Sequence, residues 1–243
     1  MAGPLRIGTA GWSIPTEFAA DFPGQGTHLE RYAKRFNAVE INSSFYRPHR
    51  RTTYERWADS VPADFRFSVK LPKSLTHERR LKDGEDLVER FAGEVEGLGE
   101  KFGVLLIQLP PSLAFSDEAG DFLRRLRPRF AAALALEPRH KSWFMPAVEE
   151  FLTESGIARV AADPPRFAGG DEPAGCRKTA YFRLHGSPRI YYSRYDEAAL
   201  ADWSRKASHA VKTGAQAWVI FDNTAEGAAI DNAAEMITGR YGG

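Results

Sequence analysis

The sequence predicts an α/β protein built as a TIM-type (β/α)8 barrel with a parallel sheet. Eight short runs of β-forming residues recur along the 243-residue chain at intervals of roughly thirty residues. Amphipathic segments separate most of these runs, and alternating strands and helices are typical of a parallel sheet with right-handed crossovers. The length is usual for one barrel, so we expect residues 1–243 to form a single domain.

The predicted strands follow one another without a low-complexity linker. They are LRIGTA (5–10), AVEIN (38–42), RFSVKL (66–71), GVLLIQL (103–109), AALALE (132–137), ARVAAD (158–163), AYFRLH (180–185) and AWVIFD (217–222). The helical segments between and after them are HLERYAKRF, EDLVERFAGEVEGLG, EAGDFLRRLRP, MPAVEEFLTESG, DEAALADWSRKASHAVKTG and GAAIDNAAEMITGR.

Two local features refine this fold prediction. The stretch DPPRFAGGDEPAG (163–175) is rich in proline and glycine, so we expect the sixth helix to be short or missing. The alternative of an open doubly wound sheet requires a glycine-rich phosphate turn after the first strand. The residues GTAGWS at that place lack the G-x-G-x-x-G spacing, and this favours the barrel.

Composition excludes several classes of protein. Lys plus Arg total 33 and Asp plus Glu total 32, so the net charge of +1 gives no general attraction to nucleic acid or membrane. Cys176 is the single cysteine, which excludes an internal disulfide and a thiolate metal cluster. The amino-terminal residues have no apolar signal region and no stretch is apolar enough to span a bilayer, so we expect a cytoplasmic protein.

Polar residues occupy the inward phase of these strands. In AVEIN, Val39 and Ile41 face the helices, which turns Glu40 and Asn42 inward. The other strands repeat this phase, although Asp163 joins it only if Ala162 meets a helix. The resulting polar ring at the carboxyl ends of the strands comprises Glu40, Lys70, Gln108, Glu137, Asp163, Arg183, His185 and Asp222.

The ring predicts an enzyme with acid–base chemistry of the hydrolase or isomerase type. Glu40 and Glu137 are the candidate acid and base, as in the carboxylate pairs of glycoside hydrolysis. Lys70, Arg183 and His185 would stabilise negative charge. Arg139 lies at the rim, and His77, shortly after the third strand, is either a site residue or a helix cap. Aromatic residues near strand ends offer stacking surfaces for a sugar or base: Trp12, Phe45, Tyr46, Trp143, Tyr191, Tyr192 and Tyr195.

Several alternatives remain open at this stage. No cofactor is required; a divalent metal on the oxygen ligands is conceivable, but Lys70 and Arg183 would repel it. Lys70 is a candidate for Schiff-base chemistry if burial lowers its pKa, although its carboxylate neighbours favour an ion pair instead. An anionic ligand fits the arginines Arg189 and Arg194 after the seventh strand.

Two further interpretations concern the ring as a whole. In the first, the ring is the binding site of a non-catalytic module for an anionic metabolite or single-stranded nucleic acid. In the second, the ring is a structural network of ion pairs. The sequence does not indicate the oligomeric state.

The motifs resemble those of the YecE-like family, known as domain of unknown function 72. IGTAGWS, FNAVEINSSFYR, FRFSVKLPKSLTH, GVLLIQLPPS, ALEPRHKSWF, YFRLHG and VIFDNTAEGAAIDNA carry the resemblance, which runs from about residue 5 to residue 238. It implies a TIM-barrel-like fold but no reaction. The motif residues that it singles out include Trp12, Asn42, Phe45, Tyr46, His77, Gln108, Arg139, Trp143 and Asn223, beside most of the ring.

Overall fold

The computed structural model describes residues 2–239, in which ten strands alternate with eight α-helices. The strands are β1 (Leu5–Thr9), β2 (Ala38–Ile41), β3 (Arg66–Lys70), β4 (Phe102–Gln108), β5 (Ala133–Glu137), β6 (Ile157–Arg159), β7 (Ala161–Asp163), β8 (Ala174–Gly175), β9 (Thr179–Leu184) and β10 (Gln216–Phe221). The helices are α1 (His28–Tyr32), α2 (Ser43–Tyr46), α3 (Arg51–Asp59), α4 (Glu85–Val95), α5 (Asp117–Leu126), α6 (Pro146–Glu154), α7 (Glu197–Lys212) and α8 (Ala228–Thr238).

Local sequence explains where several helices begin. The side chain of Ser116 accepts a hydrogen bond from the Ala119 amide at the start of α5, and Asp196 does the same for Ala199 at the start of α7. Such caps satisfy amides that have no partner within the helix. The predicted last helix ran to Arg240, which lies outside the described residues; α8 ends at Thr238.

The strands form two largely parallel sheets. One has the order β1-β10-β9-β7, and the other has the order β2-β3-β4-β5-β6-β8, in which only the short β8 is antiparallel. Within residues 2–239 the α/β class with parallel strands is confirmed. No α-helix occurs between 164 and 178, as the proline- and glycine-rich loop predicted.

The predicted sixth strand is divided between the two sheets. Ile157–Arg159 pairs with β5, whereas Ala161–Asp163 pairs with β9. Val160 separates the two pieces, and its amide donates to the Leu136 carbonyl of β5. The chain therefore changes its pairing partner at one residue.

The predicted alternation of inward and outward side chains is confirmed by two separate apolar clusters. The larger cluster joins the sheets to the helices and contains the outward residues of each strand, among them Val39 and Ile41. The smaller lies on the opposite face and comprises Ala38, Val104, Leu106, Ala135, Val160, Tyr181, Trp218 and Ile220. The polar ring continues this inner face toward the carboxyl ends of the strands. No helix within the described chain is long and apolar enough to cross a membrane.

Candidate active site

Arg183 lies at the centre of the polar ring. Its Nε and one terminal nitrogen donate to the two carboxylate oxygens of Glu40 at 2.9 and 2.6 Å. The other terminal nitrogen donates to Glu137 at 2.8 Å, and Asp222 lies 3.1 Å from the guanidinium. Arginine presents donors in a fixed fork that fits such carboxylates. One cation thus holds carboxylates from β2, from β5 and from the end of β10.

The carboxylate of Glu40 pairs with Arg183 and has no surface exposed to solvent. The residue is fully buried, and the hydroxyl of Tyr181 also donates to it at 2.8 Å. Burial and the Glu40 charge raise the pKa of Tyr181 well above its usual value. An isolated buried carboxylate is costly, and here it is paired at every oxygen. The geometry therefore leaves no face of Glu40 for a substrate.

His185 connects two of the carboxylates. Its Nδ1 lies 2.9 Å from Asp222, and its Nε2 lies 3.3 Å from Glu137. Burial by itself would lower the pKa of His185, but Glu137 and Asp222 outweigh it and raise the pKa. This arrangement favours the imidazolium form.

The two carboxylates beside His185 stay ionised. Burial would raise the pKa of Glu137, but Arg183, His185 and Arg139 hold it well below the usual value. The pKa of Asp222 is lowered against burial, chiefly by Arg183. Arg139 adds a forked contact to Glu137, with distances of 3.1 and 2.9 Å.

The contacts of Lys70 differ from the ion pair that its carboxylate neighbours in the ring led us to expect. Within residues 2–239, its ammonium makes no ion pair or hydrogen bond and lies 4.3 Å from the centre of the Phe45 ring. Burial lowers the pKa of Lys70 to about 8, with Arg183 adding to the effect and the carboxylates opposing it. The reason is that Arg183 already occupies the carboxylates that Lys70 would need.

A cavity of about 400 Å³ opens beside this cluster. Glu137, Arg139 and His185 form its polar side, and Phe144 and Tyr191 contribute aromatic surface. The remaining lining residues are Pro138, Val160, Ala162, Pro164, Pro165, Arg166, Gly170 and Ile190. The volume falls in the range of small-molecule sites, which are mostly apolar with a few placed polar groups.

Phe45, Tyr46 and His77 lie around a neighbouring part of the mouth. Phe45 is buried and contacts both Tyr46 and His77 edge to face, with ring centres 5.0 Å apart in each pair. Tyr46 is exposed and borders a second cavity of about 300 Å³ between α2 and α4. Burial, Lys70 and Arg139 lower the pKa of His77.

Three other residues predicted for the site have different surroundings. Gln108 is nearly buried and accepts a long contact of 3.4 Å from Arg183. Asn42 is partly buried, and its side-chain oxygen has no partner in the described chain. Trp12 packs edge to face on Trp57 against the larger apolar cluster.

Two residues predicted for the site are buried and make structural contacts. Trp143 is fully buried, and its indole nitrogen donates to the Leu113 carbonyl at 2.9 Å, so it belongs to the core. Asn223 is also fully buried and donates to Ser193 and Asn232, which fixes the loop after β9 to α8.

Asp163 and Tyr192 are also placed differently from the prediction. Ala162 and Val160 face the cavity, so Asp163 turns away from the ring and accepts a hydrogen bond from Tyr195 at 2.6 Å. Tyr192 lies under the Arg189 guanidinium at 3.6 Å and does not line the cavity. Its neighbour Tyr191 does so instead.

Two tyrosines complete the candidate site: Tyr181, which was absent from the predicted residues, and Tyr191, which was predicted only as one of several aromatic stacking surfaces. Tyr181 shares the inward phase of Arg183, so strand alternation was sufficient to find it. Tyr191 has a positive φ of 71°, its amide donates to the His185 carbonyl, and its ring lies 5.9 Å from the imidazole. A bulky residue in this conformation is strained and is often held so at a functional site.

No group of three or more His, Cys, Asp or Glu side chains between residues 2 and 239 is arranged to hold a metal ion. Glu137 and Asp222 instead direct their oxygens at Arg183, Arg139 and His185.

Comparison with known proteins gives consistent matches along the chain. Residues 6–239 match the family model described as protein of unknown function DUF72. The chain is 25% identical to the UPF0759 protein YunF of Bacillus subtilis, over 96% of this chain and 93% of YunF. It is 30% identical to the UPF0759 protein YecE of Escherichia coli K12, over 65% of this chain and 59% of YecE.

Solved structures extend the likeness to the fold. A DUF72 family protein of Thermotoga maritima superposes with a TM-score of 0.80 at 27% identity, covering 97% of this chain and 98% of that one. A DUF72 family protein of Enterococcus faecalis gives 0.81 at 21% identity, covering 96% and 94%. The matches agree with the motifs quoted from the sequence.

Proposed function

Because the chain belongs to the DUF72 family, whose description assigns no reaction, we propose a function from the site itself. The protein is an enzyme that carries out acid–base chemistry on a polar, anionic small molecule, sugar- or nucleotide-like, bound in the cavity beside His185. His185 is the proton-transfer group. Asp222 and Glu137 orient its ring and stabilise its protonated form, and Arg139 binds the anionic part of the ligand.

The observation that carries this proposal is the position of His185. It lies between two carboxylates at 2.9 and 3.3 Å and forms part of the cavity wall. Histidine transfers protons efficiently near neutral pH, and a carboxylate at one ring nitrogen fixes its orientation. Its pKa is raised, and the contact of Nε2 with Glu137 is long at 3.3 Å, so Nε2 is the ring atom suited to donate a proton to a bound ligand.

The charge of the ring supports an anionic ligand. When His185 is protonated, three carboxylates face three cations. The carboxylates are those of Glu40, Glu137 and Asp222, and the cations are Arg183, Arg139 and His185. Lys70 adds a further positive charge that has no ion-pair partner within residues 2–239. Arg166 on the cavity wall adds to this surplus. Phosphate and carboxylate groups are the ligands that such arginines recognise best.

The roles of the two glutamates follow from their exposure. Glu40 is enclosed by Arg183 and Tyr181, so we assign it to positioning that arginine. Glu137 borders the cavity but is bound by Arg183 and Arg139, so it polarises His185 and does not itself take up a proton. This assignment replaces the pair of catalytic carboxylates that the strand pattern suggested.

We further infer that the two sheets close into one eight-stranded barrel. The sixth barrel strand would consist of β6 and β7 together, which carry one sheet into the other across Val160. The opposite seam would be the parallel bridge between Ala10 and Glu40, where the Gly11 amide donates to the Glu40 carbonyl at 2.8 Å. Barrel enzymes carry their sites at the carboxyl ends of the strands, where this ring lies.

The experiment is thermal unfolding of the wild type, His185→Gln and His209→Gln against phosphorylated sugars and nucleotides. His209 is an exposed histidine of α7 and serves as the matched control. We expect at least one compound to raise Tm for the wild type and His209→Gln but not for His185→Gln. Conversion of that compound, followed by NMR, should be lost in His185→Gln. A Tm shift that is equal in all three proteins would overturn the proposal.

A second candidate function is binding without catalysis, favoured by the Arg189–Tyr192 stack beside the cavity. Exposed aromatic and arginine surfaces bind single-stranded nucleic acid, with an affinity that falls steeply as salt increases. Fluorescence anisotropy with a labelled oligonucleotide distinguishes this function, because Tyr192→Ala would weaken it and His185→Gln would not.

A further inference from the structure

We propose that Lys70 is a nucleophile that forms an imine with a carbonyl group of the ligand. The inference rests on the proposed function for the location of that ligand, and it narrows the substrate class to anionic aldehydes and ketones. Lys70 projects inward from the carboxyl end of β3, on the same face as Glu40 and Arg183.

The side chain of Lys70 is held in place but is not neutralised. The hydroxyl of Ser44 donates to its backbone carbonyl at 2.7 Å, which fixes the end of the strand. The ammonium lies 4.3 Å from the centre of the Phe45 ring, and within the described chain it has neither carboxylate partner nor hydrogen bond. The residue keeps 7% of its surface exposed. It does not itself line the cavity beside His185, so a ligand must extend from that cavity toward Phe45 to meet the ammonium.

The surroundings keep a substantial fraction of this amine unprotonated. Burial and Arg183 lower its pKa to about 8, against the opposing charges of Glu40, Glu137 and Asp222. His77 contacts Phe45 edge to face and adds no negative charge. Lysines that act as covalent catalysts are activated in this way, by desolvation and a neighbouring cation.

The step is balanced without any further reactant. The lone pair of the Lys70 Nζ attacks the carbonyl carbon, a C–N bond forms, and the π electrons of the carbonyl move to oxygen. The oxygen takes up two protons, equivalent to those that nitrogen releases, and leaves as water when the C=N bond forms. The imine nitrogen takes up one proton from the solvent, and this protonated imine is an electron sink. The acid–base group His185 then moves a proton on a carbon or oxygen of the bound molecule.

The test is reductive trapping of the wild-type protein. Glyceraldehyde 3-phosphate and unphosphorylated glycolaldehyde are incubated with the protein and sodium cyanoborohydride near pH 7.5, and peptides are mapped by mass spectrometry. Cyanoborohydride delivers hydride to the imine carbon and leaves a stable secondary amine. Lys73, exposed and three residues further along the chain, is the internal comparison.

We expect Lys70 to be labelled by the phosphorylated aldehyde on the order of a hundred-fold faster than Lys73, because a pKa of about 8 leaves a substantial fraction of the Lys70 amine unprotonated at the pH of the experiment. Lys73→Arg should leave this labelling unchanged, and Lys70→Arg should abolish it. The preference for labelling Lys70 over Lys73 should be weaker with glycolaldehyde, which has no anionic group. Labelling of Lys70 no faster than Lys73 would overturn the inference, and this outcome does not require a variant to fold.

Failure of this inference and failure of the proposed function give different results. Loss of ligand conversion in His185→Gln, with no selective adduct on Lys70, leaves the acid–base site in place and removes the covalent step. Selective labelling of Lys70, together with ligand binding that is indifferent to His185→Gln, removes the acid–base role and keeps the nucleophile.

Discussion

The carboxylate of Glu40 and the guanidinium of Arg183 form a two-point ion pair, 2.6 and 2.9 Å long, across the strands β2 and β9. Both side chains are almost fully buried. Because Arg183 also holds Glu137 and Asp222, this pair fixes the polar side of the cavity. It also leaves Lys70 without an ion-pair partner in the described part of the chain. The unusual strand sequence around Glu40 therefore determines the charge of the whole site.

Glu40→Gln should destabilise the protein by about 3 kcal/mol, because it leaves part of the buried Arg183 charge uncompensated. Urea unfolding measures this change. Glu150→Gln, on the exposed side of α6, is the control and should stay within about 0.5 kcal/mol of the wild type. Equal stability of the two variants would mean that the ion pair contributes nothing net.

The joint contribution of Glu137, Asp222 and His185 to the free energy of unfolding should be greatest between roughly pH 4.5 and 6.5. Glu137 and Asp222 have lowered pKa values in the folded protein, so their contribution is present above their ordinary values of 4.5 and 3.8 and is lost on further acidification. His185 has a raised pKa, so its contribution is complete below 6.5 and is lost as the pH rises through the folded value.

The fall in the free energy of unfolding on the alkaline side can be assigned to His185 with a variant. Urea unfolding at a series of pH values should show that His185→Gln lacks the fall in stability above pH 6.5, whereas His209→Gln keeps it. A fall of the same size in both variants would assign it to another group.

Trp143→Phe should lower stability without changing the ligand site. The substitution leaves the buried Leu113 carbonyl without its 2.9 Å donor, which costs about 1–3 kcal/mol. Chemical unfolding measures the loss, and the Kd of the ligand found in the thermal screen should stay as in the wild type. A raised Kd at unchanged stability would restore Trp143 to the site.

Tyr191→Asn and Tyr192→Asn form a matched pair. Asparagine tolerates the positive φ at position 191, so the backbone is preserved while the ring that faces His185 is removed. Titration calorimetry should show weaker ligand binding for Tyr191→Asn, by about ten-fold, the order of one lost aromatic contact of about 1.4 kcal/mol. Tyr192→Asn should bind like the wild type; the reverse order would place the ligand on the Arg189 side.

The strand pattern was sufficient to predict the ring where apolar and polar residues alternate clearly, as around Glu40 and Arg183. It failed at Asp163, because Ala161 and Ala162 give no contrast between faces and the strand changes partner at Val160. An aromatic side chain does not reveal from sequence whether it is core or site, which explains Trp143.

Lys70 shows a second limit of sequence reasoning. Its isolation depends on how Arg183 distributes its hydrogen bonds and ion pairs among three carboxylates, which only the assembled geometry determines. The family motifs indicated candidate residues but could not assign the contacts that these residues make with one another.

The most direct measurement is an NMR titration of the histidine ring signals, with and without the ligand found in the thermal screen. His185→Gln and His209→Gln assign the two signals. We predict that His185 titrates above 6.5 and that its signal shifts on ligand binding, whereas that of the exposed His209 does not. A His185 midpoint at or below 6.5, with a ring signal that the ligand leaves unchanged, would contradict an acid–base site at this position.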